Sequence, residues 1–365
     1  MYKTSKIYVA GHQGLVGSAI MRALHAQGYN NIITRIFIDF DLRNQTAVNG
    51  FFALEQPEYV FLAAAKVGGI LANNTYKAEF IYDNLMIATN VIHASYKYGV
   101  KKLLNLGSSC IYPKNVPQPL KEEYLLTGSL EETNEPYAIA KIAAIKLCRY
   151  YNEQYGTNFI SVMPTNLYGP NDNFNLDTAH VLPALLRKFY LAKLLRDGDW
   201  GAIDQDLRRC SAGVYISCHP ELNSGSILKL LGITANSVTL WGTGKPLREF
   251  LYVDDLASAL LFLMENYEAQ NIGEIINIGV GHDISIHELA ELVKSIVGFD
   301  GEIFYDANKP DGVKQKLLDV TRINDLGWWA QYSLAEGIRA MYIWYCQANK
   351  ACKQRRIGND RTVEL

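Results

Sequence analysis

The chain has 365 residues, 49% of them hydrophobic and 20% charged, the make-up of a globular protein large enough for an α/β unit carrying a smaller lobe. A formal net charge of −2 gives no electrostatic reason to expect a nucleic-acid partner. No apolar run approaches the roughly 20 residues that cross a bilayer, and the N-terminus leads straight into a strand, so no membrane partner and a soluble, cytoplasmic protein are expected.

Residues Lys6 to Ala10 read as a short buried strand, followed by Gly11-His12-Gln13-Gly14-Leu15-Val16-Gly17 and a helical pattern from Ser18 to Leu24. Strand, glycine-rich turn and helix in that order make a phosphate cradle: glycines admit a pyrophosphate to the backbone and the helix N-terminus presents amide N–H groups. The pattern then alternates. Strands are expected at Asn31–Thr34, Tyr59–Ala65, Leu103–Leu106 and Asn158–Met163, with helices at Gln45–Phe52, Ala78–Tyr98 and Tyr137–Tyr155. Such alternation predicts a doubly wound, Rossmann-type parallel sheet with helices on both faces.

Beyond about Asn171 the pattern loosens. Residues 196–237 are polar, broken by Gly201, Gly213 and Gly225, and read as an irregular insertion. After it come a turn at Trp241–Pro246, a strand-to-helix passage from Phe250 to Met264, a strand at Ile275–Gly279 and a helix at Ile286–Val297. The expected domains are 1–170, joined by about 245–282, and a substrate lobe of 171–244 and 283–346; residues 347–365 are expected to fray. The six cysteines are scattered without a Cys-x-x-Cys pair, which argues against a disulfide framework. Cys210, Cys218 and His219 lie close in sequence but complete no zinc spacing, so no metal is expected.

Two stretches carry the chemistry. Gly107-Ser108-Ser109-Cys110 follows a strand, and Tyr137 and Lys141 stand one turn apart on a helical pattern. A serine, a phenol and an ammonium brought together exchange a proton with a carbonyl or alcohol oxygen. A free tyrosine has a pKa of about 10, and Lys141 is expected to lower that of Tyr137. The thiol of Cys110 is an addition that hydride transfer alone does not need.

With these and the longer runs Ala63-Ala64-Ala65-Lys66-Val67-Gly68-Gly69-Ile70, Thr133-Asn134-Glu135-Pro136-Tyr137 and Met163-Pro164-Thr165-Asn166-Leu167-Tyr168-Gly169-Pro170, the chain resembles the GDP-L-fucose synthase family of extended short-chain dehydrogenase/reductases from about Ile7 to Tyr345, the insertion excepted. The resemblance implies an epimerase-reductase of a GDP-linked 4-keto-6-deoxy sugar. Tyr137 would protonate the C4 oxygen, Ser108 would hold it, Lys141 would bond the nicotinamide ribose, and Cys110 and His180 would carry the proton exchange at C3 and C5. For the cofactor it implies Gly11 through Gly17 (His12, Gln13, Gly14, Leu15 and Val16 among them), Arg35, Asp41, Leu42, Leu106, Gly107, Tyr137, Lys141, Pro164, Asn166, Leu167 and His180. For the substrate it implies Ser109, Asn166, Lys188, Trp241, Arg248 and Asp311, the guanidinium of Arg248 gripping the diphosphate. It further implies a homodimer packed through helices 78–98 and 137–155.

Two departures stand out. Where NADP-using relatives carry arginines, this chain has Gln13 in the glycine loop and Phe37 after the second strand, with Arg35 nearby as a substitute. NADP(H) is therefore the expected cofactor, with NAD(H) open. The insertion is the other; it is read as a surface elaboration, with a sugar cover, an oligomer contact or a GDP-linked heptose substrate as the alternatives.

Overall fold

The computed structural model describes residues 1–210, 223–309 and 311–360. The described residues fall into two compact units. The first comprises Met1–Leu167, Glu249–Asp283 and Lys316–Tyr332; the second is drawn from Tyr168–Arg248, Ile284–Gln315 and Ser333 onward.

In the first unit six parallel strands run in the spatial order Ile276–Ile278, Phe159–Pro164, Lys102–Leu106, Tyr59–Leu62, Ile7–Ala10, Ile32–Ile33. Their near-continuous apolar sequences follow from burial on both faces. Successive side chains alternate faces. Ile7, Val9, Leu104 and Ile160 thus pack with Ile20 and Leu24 of helix Leu15–Ala26 and with Leu256, Leu260 and Leu263 of helix Val253–Asn266. On the other face Tyr8, Ala10, Val60 and Leu103 meet Phe51 and Phe52 of helix Gln45–Glu55, Val91 and Ile92 of helix Lys77–Lys97, and Cys148 of helix Glu135–Tyr155. Each fully buried Ile, Leu or Phe here is worth roughly 1.5–3 kcal/mol. Lys102 is buried too: its ammonium caps the end of helix Val253–Asn266 by donating to the carbonyls of Leu263, Met264 and Tyr267. Residues 316–332, which the sequence reading gave to the other lobe, belong to this unit.

The second unit contains helices Val181–Arg196, Trp200–Arg209, Ser224–Leu230, Ile286–Val297 and Leu334–Asp360, and a parallel pair, Ser237–Trp241 with Glu302–Asp306. The expected irregular insertion is corrected on both its described flanks, which are helical. Asp199 caps the first helix through the Ala202 amide and Asn223 caps the second through the Ser226 amide. Ile203, Asp206 and Leu207 share one buried face at helical spacing, so the polar composition hid an amphipathic helix. Likewise the tail expected to fray from residue 347 continues the last helix to Asp360. Cys218 and His219 lie outside the described residues.

Candidate active site

The glycine turn opens at Gly11, where a φ of +82° and the 2.8 Å that would separate a Cβ from the Ala64 backbone exclude a side chain. A Cβ at Gly17 would lie 2.0 Å from the Gly11 carbonyl oxygen, so turn and helix interlock. Gly14 occupies the N-cap, and no side chain caps this helix, which leaves its amides facing the cradle. Gln13 and Gly14 are exposed, Leu15 and Val16 half-buried. The Nδ1 atom of His12 is buried without a hydrogen-bond partner, and burial pushes its imidazole pKa down. A cradle closed to any Cβ, an uncapped helix end and an orphaned polar atom fit a bound dinucleotide.

Beyond the second strand, Arg35 pairs with Glu55 at 2.5 Å and also bonds the Thr34 carbonyl. Lys6 lies 3.2 Å from the same carboxylate, so releasing Arg35 leaves Glu55 partnered. Phe37 is exposed, and Asp41 is held by Arg43, whose bonds keep its carboxyl below the usual range. Arg43 and Lys66 both reach Asp83, while the buried Leu42 gives its carbonyl to Asn90. The cations at this end of the sheet thus all have carboxylate partners.

The middle strand ends at Leu106, and Gly107 bonds Val162 at 2.8 Å, with no room for a Cβ against Met163 and the Val162 carbonyl. Ser108 caps the single 3₁₀ turn Ser109–Ile111, its Oγ accepting the Cys110 amide at 3.4 Å. The helix at Glu135–Tyr155 starts with Pro136 in its first turn, which pre-sets the backbone, and so presents Tyr137 and Lys141 together. Lys141 is buried and donates to the Leu106 carbonyl at 2.7 Å; its ammonium lies 5.6 Å from the centre of the Tyr137 ring, whose edge packs on Phe80. Leu106, Gly107, Ser108, Ser109, Cys110, Tyr137 and Lys141 are therefore brought together.

Their electrostatics revise one expectation. Burial, with the Cys110 thiol adding to it, pushes the Tyr137 pKa up, not down, and burial pulls Lys141 down to about 8. Desolvation leads, and the neighbouring ammonium is turned to the Leu106 carbonyl. Burial also raises the Cys110 thiol, against the opposing pull of Lys316, Ser108 and Lys141. Phenol and thiol are thus both protonated at neutral pH: two acids beside one serine hydroxyl.

Pro164 ends its strand; next to it Thr165 and Asn166 bond the Glu249 carbonyl at 3.3 and 2.8 Å, with Leu167 following. Glu249 itself had no signal in the sequence beyond its place beside Arg248. It is fully buried, and its carboxylate accepts the amides of Val280, Gly281 and Leu318 at 2.6, 2.8 and 3.0 Å. One residue thus gathers these segments, its carboxylate taking the amides of Val280, Gly281 and Leu318 and its backbone carbonyl holding Thr165 and Asn166.

In the second unit Trp241 is exposed, with the Lys309 ammonium 5.1 Å from its ring centre. Asp311 accepts the Thr243 amide at 2.9 Å and hydroxyl at 2.7 Å, and feels the charge of Arg248. Gly242, with φ of +80°, leaves no space for a Cβ beside that carboxylate. Trp241, Arg248 and Asp311 are so assembled around one turn. Lys188 is placed differently: its ammonium donates to the Leu231 and Thr239 carbonyls at 2.9 Å each, and burial lowers it to about 8. It ties two segments where the sequence reading expected a phosphate contact. His180 is exposed at the N-cap of helix Val181–Arg196. Asp172, in the same segment and unread in the sequence, has a carboxyl oxygen buried without a partner and is pushed up to about 7 by burial.

The family model described as NAD dependent epimerase/dehydratase matches residues 7–205 and 220–279. GDP-L-fucose synthase 1 of Arabidopsis thaliana is 51% identical over 94% of this chain and 94% of its own length. Among solved structures, a GDP-6-OMe-4-keto-L-xylo-heptose reductase from Campylobacter jejuni is 44% identical with a TM-score of 0.89, covering 95% of this chain and 99% of that one. The GDP-mannoheptose C4 reductase from the same organism, with NADP bound, is likewise 44% identical over the same shares, with a TM-score of 0.82. The chain belongs to the NAD dependent epimerase/dehydratase family, on its GDP-L-fucose synthase branch.

Proposed function

We propose that the chain converts GDP-4-keto-6-deoxy-D-mannose to GDP-L-fucose, inverting C3 and C5 and then reducing the C4 ketone with NADPH. The observation that carries this reading is the thiol of Cys110 set among Ser108, Tyr137 and Lys141. A C4 ketone acidifies the hydrogens on C3 and C5. Removing one yields an enolate whose charge rests on O4, where the Ser108 hydroxyl and the Tyr137 phenol donate hydrogen bonds. Cys110 and His180 exchange the carbon-bound protons, a thiol and an imidazole being able to act on opposite faces near neutral pH. Once both centres are inverted, Tyr137 protonates O4 as C4 is reduced.

The bound cofactor supplies the hydride to C4. The cradle from Gly11 to Gly17, with Leu42, Leu106 and Lys141, would hold it, and Arg35 would meet the 2′-phosphate of NADP. That a relative of 44% identity is described with NADP bound supports the phosphorylated form. Arg248 would grip the substrate diphosphate, with Trp241 and Asp311 shaping the sugar side. The proposal includes a cytoplasmic homodimer packed through helices Lys77–Lys97 and Glu135–Tyr155, on which Tyr82, Ile139 and Tyr150 are exposed.

A second reading is C4 reduction, with or without inversion, of a GDP-linked 4-keto heptose. The two Campylobacter jejuni enzymes favour it, since this chain covers 99% of each. Turnover of hexose and heptose 4-ketosugars with NADPH and NADH, with product stereochemistry read by NMR, decides between them. An inverted, reduced hexose is the result expected. Reduction without inversion, or turnover of the heptose alone, overturns the first reading.

A further inference from the structure

Helix Trp200–Arg209 is joined to the rest of the second unit by a buried ion pair that reaches further than a joint requires. The side chains of Arg187 and Asp206 are both 0% exposed, and the Arg187 Nε donates to Asp206 Oδ1 at 2.8 Å. The second Asp206 oxygen accepts the Tyr345 hydroxyl and, at 3.2 Å, the Asn349 amide, both from the last helix. Arg187 Nη1 then donates to the carbonyl of Phe174 at 2.9 Å. Tying two helices needs no charge, because a well-packed apolar pair does this as well as a buried ion pair. Holding a carbonyl of an irregular segment does need a donor, and a guanidinium paired along one edge keeps another N–H directed elsewhere.

That segment leads to His180. From Phe174 the chain makes a closed turn, in which the amides of Thr178 and Ala179 donate to the Asn175 carbonyl at 3.0 and 2.7 Å and Asn173 bonds the Thr178 hydroxyl at 2.9 Å. His180 follows as the N-cap of the helix that bears Arg187. The seven residues from Phe174 to His180 are thus tethered at one end by Arg187 and at the other by Arg187's own helix. The Phe174 ring is also wedged against Tyr345, 4.3 Å between centres.

We infer that Asp206 is a positioning residue: by fixing the Arg187 guanidinium, helix Trp200–Arg209 holds the Phe174–His180 segment and so aims His180 for proton exchange. This rests on the reading of His180 as an exchange group, and it gives helix Trp200–Arg209 a part in inversion and none in hydride transfer.

The test uses the full chain and two variants. The pair Arg187→Met with Asp206→Leu keeps packing volume while removing the donor to Phe174. Arg187→Lys keeps the charge opposite Asp206 but lacks the fork, and it serves if the pair does not fold. Three quantities are compared with the wild type: solvent deuterium entering C3 and C5 of the ketosugar, C4 reduction of the already inverted ketosugar, and the melting temperature. The expected result is exchange lowered at least about tenfold in kcat with little change in KM, the inverted sugar still reduced within about threefold, and a cooperative melting transition that is kept but lowered, since the Tyr345 hydroxyl, the Asn349 amide and the Phe174 carbonyl lose their partners. Exchange at the wild-type rate in a folded variant overturns the inference. So does an equal loss of exchange and reduction, which marks general damage. If the wild type itself shows no exchange, the functional reading falls and the inference with it, an outcome visible before any variant is made.

Discussion

The two units hold their candidate residues in different ways. In the first, Ser108 and Cys110 stand just past the end of a central strand and Tyr137 and Lys141 in the first two turns of a packed helix, with Cys110 and Lys141 buried. In the second, Trp241, Arg248 and Asp311 stand on and around a turn shaped by a left-handed glycine and a carboxylate bonded to the backbone. The first arrangement tunes proton affinity through desolvation. The second tunes shape, leaving charges near water. Substitutions among Ser108, Cys110, Tyr137 and Lys141 should therefore strike kcat, and those at the turn that carries Trp241 and Asp311 should strike KM.

The largest effect is expected from Tyr137→Phe. C4 reduction should fall by about 10²–10⁴ while deuterium still enters C3, measured by NADPH oxidation and by NMR. Loss of both activities together would erase the separation of acid from exchange groups. Lys141→Met should cost a comparable factor in reduction, and its signature is in stability. The folded pKa of about 8 lies below the ordinary 10.5, so the native state binds fewer protons than the unfolded one between those values, and the stability linked to Lys141 is lost as pH falls through 8. From pH 7 to 10 the wild type should gain on the order of 2–3 kcal/mol over the variant in urea unfolding. A flat difference would show the ammonium to be better solvated than its burial indicates.

Glu249→Gln comes next. An amide offers one acceptor oxygen where three N–H groups converge, so a donor is left unpaired, with an expected loss of about 1–3 kcal/mol in urea unfolding, while the backbone bond from Asn166 is kept. Gly242→Ala forces a side chain against Asp311 at positive φ; the strain is about 1–3 kcal/mol, and KM for the GDP-sugar should rise more than kcat falls. A kcat defect with normal KM would break the contrast between the units. The smallest effect is expected of Arg35→Ala: NADPH affinity by calorimetry should drop about fivefold, roughly 1 kcal/mol, with NADH affinity unchanged. Equal losses for both would remove Arg35 from the 2′-phosphate.

Much of this was legible in the sequence. Alternating strands and helices, the glycine turn and the Tyr137–Lys141 spacing are local patterns, and local patterns survive without knowledge of packing. What was missed depends on partners far along the chain. Lys188 looked like a phosphate ligand because its carbonyl partners lie 43 and 51 residues away. Glu249 serves amides 31, 32 and 69 residues distant. Asp206 made a helix look polar because its partner Arg187 stands on another helix. The direction of the Tyr137 shift was misread for a related reason: proximity of a charge is visible in a spacing, and dryness is not.

The interlock of Gly11 and Gly17 also sorts the cofactor site by what selection can alter. Gly17 tolerates no side chain because the loop's own carbonyl fills the space, and Gly11 none because Ala64 does. Gln13 and Phe37, by contrast, are exposed, and Arg35 is surface-lying and paired with a carboxylate that keeps Lys6 when the arginine leaves. On the proposed reading, in which positions 13, 35 and 37 set coenzyme preference, that preference can drift there at little cost to folding, so a lineage can trade NADPH for NADH while the glycine frame stays fixed.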